Sequence, residues 1–215
     1  MALQKDKEFL LKGWKGSGIV KNPLIIEAFI RIKREDFVLP EYREQAYDDV
    51  PLPIPAGQTI SQPTTVVTFL EALELNEKCR VLEIGTGSGY NAALLGAICK
   101  KGKVVSTEFI EELAEFAKNN IKKSKLRNVK IIKWDGTRGY EKEAPYDRII
   151  CTAAVPEIPE AWVKQLKLNG IIVAPVGPQY SQTLVKLRKL KDGMKISELG
   201  GFIFVPARGE YGYNT

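Results

Sequence analysis

The chain of 215 residues is 44% hydrophobic and 27% charged, enough apolar material for one sizeable core, with no run near the roughly 18 apolar residues of a membrane span. Its net charge of +6 admits a nucleic-acid partner. It has no histidine, which removes the usual general base, and its three scattered cysteines (Cys79, Cys99, Cys151) read as buried free thiols rather than metal ligands.

Met1 to Leu11 carries Lys5, Asp6, Lys7 and Glu8, so the apolar core of a signal peptide is missing and a cytoplasmic protein is expected. Phe9, Leu10 and Leu11 predict a short amphipathic helix broken by Gly13, Gly16 and Gly18. Asn22-Pro23 then places a good N-cap before a proline, predicting a helix from Leu24 to Ile32. Pro40, Pro51, Pro53 and Pro55 predict an extended, irregular segment. Gly57 to Pro63 reads as a polar loop, and Thr64 to Leu75 resumes a helical period.

From residue 79 onward strands and helices alternate. Strands are expected at 80–84, 103–107, 129–133, 147–152 and 170–174, with helices at 90–99, 110–122 and 158–167, the pattern of right-handed crossovers and a parallel sheet. In the second of those helices glutamates (Glu111, Glu112, Glu115) mix with lysines (Lys118, Lys122, Lys123), a pattern read as a solvated, ion-paired face rather than a nucleic-acid surface. After Gly177 come strand-like segments at Thr183–Leu190 and Phe202–Val205, with a turn at Lys191-Asp192-Gly193.

Val81 to Tyr90 reads Val-Leu-Glu-Ile-Gly-Thr-Gly-Ser-Gly-Tyr, a buried strand turning through Gly85, Gly87 and Gly89 into a helix. Tyr90 stands where a dinucleotide fingerprint needs its third glycine. Three acids fall at strand ends, where open parallel sheets bind ligands: Glu83, then Glu108 nineteen positions after Gly89, then Asp135 followed by Gly136. Glu108 is placed to take both hydroxyls of a ribose, and Asp135-Gly136 to lie near an adenine. An acid inside the glycine-turn strand disfavours a diphosphate and suits a sulfonium cofactor bearing an amino group. The Glu-x-Gly-x-Gly-x-Gly run resembles motif I of S-adenosylmethionine-dependent methyltransferases.

A second motif is more selective. Ala46-Tyr47-x-Asp49-x-Pro51-Leu52-Pro53-Ile54, followed by Gly57-Gln58-Thr59-Ile60-Ser61-x-Pro63, resembles the protein-L-isoaspartate O-methyltransferase family. Arg34-Glu35-Asp36-Phe37-Val38, Ala144-Pro145-Tyr146-Asp147, Gln165-Leu166-Lys167, Pro175-Val176-Gly177 and Phe204-Val205-Pro206 extend the likeness over roughly residues 20–209.

The resemblance implies a Rossmann-like, doubly wound, mostly parallel α/β sheet, the class I methyltransferase fold. A helical addition would occupy 1–56, the cofactor-binding core 57–177, and an antiparallel C-terminal hairpin would fall within 178–215. It also implies methylation of the α-carboxylate of L-isoaspartyl residues in damaged proteins and peptides. The methyl ester re-cyclises and partly reopens as aspartate, a repair cycle.

The cofactor would be S-adenosyl-L-methionine, leaving S-adenosyl-L-homocysteine, with no metal, no nucleic acid and no membrane partner. Its binding residues would be Glu83, Gly85, Thr86, Gly87, Ser88, Gly89, Glu108, Phe109, Asp135 and Gly136. The family's active-site serine falls on Ser61, with Thr59 beside it at the substrate. Four positions depart from the family pattern: Pro55, Thr64, Trp134 and Ala207.

Methyl transfer to a carboxylate needs no base, in keeping with a chain that lacks histidine. The task is to hold one carboxylate oxygen about 3 Å from the methyl carbon, in line with sulfur. The hydroxyls of Ser61 and Thr59 can hold the other lone pairs, although both residues also suit local turn bonds or a cap on the helix from Thr64. Methyl transfer to RNA or a small molecule stays open at this point, as does a non-catalytic module binding nucleotide or protein.

Overall fold

The structure is a computed structural model and describes residues 2–213. The chain opens with α1 (Ala2–Ser17), which runs through Gly13 and Gly16 instead of breaking at them. A helical glycine costs only about 1 kcal/mol relative to alanine, and burial of Leu10 and Trp14 offsets that. The helix ends at Gly18, whose φ of 72° lets the Ile19 N–H turn back to the Trp14 carbonyl. α2 (Pro23–Arg31) starts as expected, with the Asn22 side chain accepting from the Leu24 N–H at 3.0 Å.

The proline-rich stretch and the polar segment after it pair with each other. β1 (Leu52–Ile54) and β2 (Gln58–Ile60) form a two-stranded antiparallel hairpin. Ala56 and Gly57 make the turn at φ 56° and 66°. Leu52, Ile54 and Ile60 are buried beneath it, an apolar anchor that the polar neighbours hide in the sequence. α3 (Pro63–Ala72) follows.

The sheet core then runs β3 (Arg80–Ile84), α4 (Tyr90–Ile98), β4 (Lys103–Glu108), α5 (Glu111–Ser124), β5 (Val129–Lys133), β6 (Tyr146–Cys151), α6 (Glu160–Gln165), β7 (Leu166–Val176), β8 (Gln182–Leu190) and β9 (Gly193–Phe202). The seven strands lie in the order β5-β4-β3-β6-β7-β8-β9. β3 through β7 are parallel, whereas β8 and β9 add antiparallel.

Two of the boundaries that differ from expectation follow directly from strand pairing. The last helix stops at Gln165 because Leu166, which is buried, pairs with Tyr146 and begins β7. The final strand is 193–202 rather than 202–205, since β9 continues straight from the turn along β8. Beyond it the chain leaves the sheet and is held by Ala154, whose N–H donates to the Val205 carbonyl and whose carbonyl accepts from the Ala207 N–H. On the acidic–basic helix, Glu115 and Lys118 form an ion pair at 2.6 Å.

Alternation along the strands makes two apolar layers. Val81, Val104, Ile150 and Val173 face α1 through α5, while Leu82, Val105, Ile149 and Ile172 face Trp162 of α6. α4 is buried at every position, so it forms the centre of the larger layer. β3, at the middle of the five parallel strands, has β4 on one side and β6 on the other, so strand order reverses there.

Candidate active site

A cavity opens beyond the carboxyl ends of the parallel strands, at that reversal. Its empty space, open mouth included, is about 1000 Å³, at the upper end of the range for small-ligand sites. One wall is the turn after β3. Gly85 has φ 90°, and a Cβ there would stand 2.8 Å from Thr152 Oγ1, so a side chain is excluded both by conformation and by space. The backbone of Gly85 through Ser88 is therefore exposed to a ligand.

Glu108 closes β4 and is almost fully buried beside that turn. Its Oε2 accepts from the Gly87 N–H and its Oε1 from the Ile110 N–H, both at 2.9 Å. Each oxygen keeps a lone pair, and the carboxylate lines the cavity. Burial pushes its pKa above the usual carboxylate value. Phe109 follows with its ring 41% exposed and Lys133 Nζ 4.9 Å from the ring centroid, an aromatic face at the cavity wall.

The lining also includes β2 and the residues after it, Gln58 to Ser61, together with the segment from Phe204 to Arg208. Thr59 and Ser61 both line the cavity. Among the described residues no group takes up either hydroxyl, and neither residue caps α3. That duty falls to Asp49, whose Oδ1 accepts from the Thr64 N–H at 2.8 Å and whose Oδ2 accepts from Thr64 Oγ1 at 2.6 Å. Thr64, one of the departures noted above, also accepts from the Trp14 indole at 2.8 Å and so ties α1 to α3.

Three of the residues assigned to the cofactor stand behind the walls. Glu83 is fully buried, with Asn91 donating to it at 2.7 Å and Ser106 Oγ donating to its other oxygen. Ser106 in turn meets Thr86, so the Glu83 carboxylate is linked to the cavity through Asn91 and Thr86, both lining residues. Burial raises the Glu83 pKa to about 7, against the pull of those two donors. Gly89 starts α4 in the left-handed region at φ 85°, packed on Ala117. Asp135 accepts from the Thr137 N–H, from Thr137 Oγ1 and from the Glu210 N–H, tying the end of β5 to the C-terminal segment. Gly136 does line the cavity, braced by the Trp162 indole, which donates to its carbonyl at 2.9 Å.

A family model described as protein-L-isoaspartate(D-aspartate) O-methyltransferase (PCMT) matches residues 4–212. The chain belongs to that family. It is 45% identical over 217 residues to a protein-L-isoaspartate O-methyltransferase of Pyrococcus horikoshii, covering 97% of this chain and 98% of that one.

Among solved structures of the family, a protein-L-isoaspartate O-methyltransferase superposes with a TM-score of 0.87 at 32% identity, over 95% of this chain and 67% of that one. A Plasmodium falciparum relative, described as a beta-aspartate methyltransferase (PCMT) in complex with S-adenosyl-L-homocysteine, superposes with a TM-score of 0.81 at 27% identity, over 93% and 96% of the two chains.

Several cavity residues of this methyltransferase lie outside the motifs named above. Thr152 and Ala153 follow β6 at the reversal point and were open to the same strand-end rule that found Glu108. Asn91 and Tyr90 sit in the first turn of α4, where a helix N-terminus meets a ligand. Phe69 and Phe204 pack with ring centroids 5.0 Å apart and planes tilted by 40°, both lining the cavity, a pairing far apart in the chain that no local signal marks.

Proposed function

We propose that the chain transfers a methyl group from S-adenosyl-L-methionine to the α-carboxylate of L-isoaspartyl residues in damaged proteins and peptides, so that these re-cyclise toward aspartate. The observation that carries the site assignment is the pair of untaken hydroxyls, Thr59 and Ser61, facing the same cavity as the glycine turn and Glu108. The lining fits the cofactor. Its glycine backbone leaves room for a ligand, Glu108 has lone pairs to spare for ribose hydroxyls, and Arg208 is the single cation among the described lining residues, which leaves a diphosphate poorly countered.

When bound, the cofactor supplies a methyl group on a positively charged sulfur. The chain's residues then position an acceptor that is already a nucleophile at neutral pH. The Ser61 and Thr59 hydroxyls donate to the carboxylate oxygen that does not attack, without the charge neutralisation of an ion pair. Glu108 accepts from the ribose, Phe109 offers its face to the base, and Gly85, Thr86, Gly87, Ser88 and Gly136 border the remaining surface. Glu83, Gly89 and Asp135 act from behind by fixing Asn91, the start of α4 and the turn after β5.

Isoaspartyl-bearing proteins and peptides are the partners, and the cytoplasm is the compartment we assign. Three buried free thiols suit a reducing setting, and among the described residues no helix is long and apolar enough to cross a membrane. The test is tritiated methyl transfer to an isoaspartyl peptide and to its aspartyl twin. Labelling of the first at least a hundredfold faster is expected, because the backbone methylene that separates the two misplaces the carboxylate by about 1 Å. Equal labelling of the two, or labelling of RNA alone, overturns the reading.

A further inference from the structure

Of the described residues lining the cavity, only two carry charge: Glu108, beside the glycine turn, and Arg208, at the end of the segment that begins at Phe204. Arg208 is exposed and, among the described residues, makes neither an ion pair nor a side-chain hydrogen bond. The neighbouring cation Arg138, by contrast, is matched with Glu210 at 3.4 Å.

The backbone carrying Arg208 is held on both sides. The Ala207 N–H donates to the Ala154 carbonyl at 2.8 Å, and the Tyr213 N–H closes on the Ala207 carbonyl at 3.1 Å. The Glu210 N–H is clamped on Asp135 at 2.9 Å. Gly209, at φ 133°, packs so closely on the Asp135 carboxylate that a Cβ would collide with it. Among the described residues Arg208 is thus a long, unpaired cation, fixed at the root and lining the cavity.

We infer that Arg208 is a specificity residue that binds a second carboxylate on the acceptor peptide, the acidic side chain or chain terminus of a residue beside the isoaspartyl one. This rests on the activity proposed above. The reacting carboxylate is the wrong partner for a physical reason. Its negative charge and the sulfonium's positive charge cancel as the methyl moves, so a guanidinium bound to it stabilises the ground state more than the transition state and slows the step. A carboxylate whose charge persists through the reaction holds the ion pair equally in both states. Arg208 therefore acts on peptide binding and leaves the methyl-transfer step alone.

The experiment uses three isoaspartyl peptides that differ only in the adjacent residue, Glu, Gln or Lys, with the wild-type chain, Arg208→Leu and Arg208→Glu. In the wild type, KM is expected to be roughly two- to fivefold lower for the Glu peptide than for the Gln peptide, with similar kcat, and the gap should narrow with added salt. Arg208→Leu abolishes the gap, and Arg208→Glu reverses the order in favour of Lys.

A Glu preference that is missing in the wild type, or that survives unchanged in both variants, overturns the inference while leaving the methyltransferase reading intact. Failure of the wild type to label any of the three isoaspartyl peptides overturns that reading, and the inference with it.

Discussion

The two ends of the cavity are held by different kinds of structure. At the cofactor end, the turn after β3, the end of β4 and the turn after β5 are set by parallel registers such as Glu83 opposite Ser106 and Glu108 opposite Lys133. Each group there is fixed by pairings between distant parts of the chain. At the other end, Thr59 lies in a hairpin with three residues per strand and Ser61 directly follows it, while the segment from Phe204 to Arg208 lies outside the sheet, held by the backbone of Ala154 at Val205 and Ala207 and by Gln182 at the Phe204 N–H. Isolated two-stranded hairpins are marginal without further packing. The strand-end half of the cavity is therefore expected to be the stiff one, and the hairpin half the soft one that opens at lower free energy.

That contrast is broken most severely from beneath the stiff half. Trp162 is fully buried and braces Gly136 through its indole. Trp162→Ala is expected to cost about 3–5 kcal/mol of unfolding free energy, read by urea denaturation. A loss below about 1 kcal/mol would show that this layer does not support the site.

The next largest effect is a pH dependence. Glu83 loses its proton near 4.5 in the unfolded chain and near 7 in the folded one. Between those values the folded state holds the extra proton, so this group's contribution is complete below pH 4.5 and is lost as pH rises toward 7. The total is on the order of 3 kcal/mol. Glu108, also raised by burial, acts in the same direction. Urea unfolding of wild type and Glu83→Gln at pH 5 and pH 7.5 should show a shallower pH slope in the variant. Parallel slopes would mean that Glu83 is ionised throughout the range.

Glu108→Ala sharpens the comparison at the ligand. Removing charged hydrogen bonds of this kind should weaken S-adenosyl-L-homocysteine binding by about 1.5–3 kcal/mol with the fold retained, as calorimetry would measure. An unchanged Kd would take Glu108 out of the site.

The smallest effect belongs to the soft half. Ser61→Ala should lower kcat by the equivalent of one neutral hydrogen bond, about 0.5–1.5 kcal/mol or up to roughly tenfold, with cofactor affinity nearly constant. Wild-type rates in both Ser61→Ala and Thr59→Ala would return this loop to a purely structural role.

The stiff half was legible in the sequence because its signals are local. An apolar run with one acid, a glycine turn and a buried helix lie within Val81–Ile98, and the strand-end rule places Glu108 without any contact being known. The soft half was legible only through the family motif. By period alone, Gln58–Ile60 reads as loop, because a three-residue strand is too short to show alternation, and its pairing with Leu52–Ile54 depends on a turn at Ala56-Gly57.

What the sequence by itself determined is the order of elements from β3 onward, the glycine turn and the acid at the end of β4, all carried by patterns a few residues long. What only the tertiary structure decided is where side chains point and what they meet. Glu83 and Asp135 have the same sequence context as ligand-binding acids, yet their oxygens are taken up by Asn91 and Ser106, and by Thr137 and Glu210. Asp49 became the cap of α3 from fifteen residues away. The physical reason is common to all three. A carboxylate is stabilised by the hydrogen-bond donors it meets, obligatorily so at the fully buried Glu83, and which donors lie within 3 Å of it is settled by packing that no single-residue pattern records.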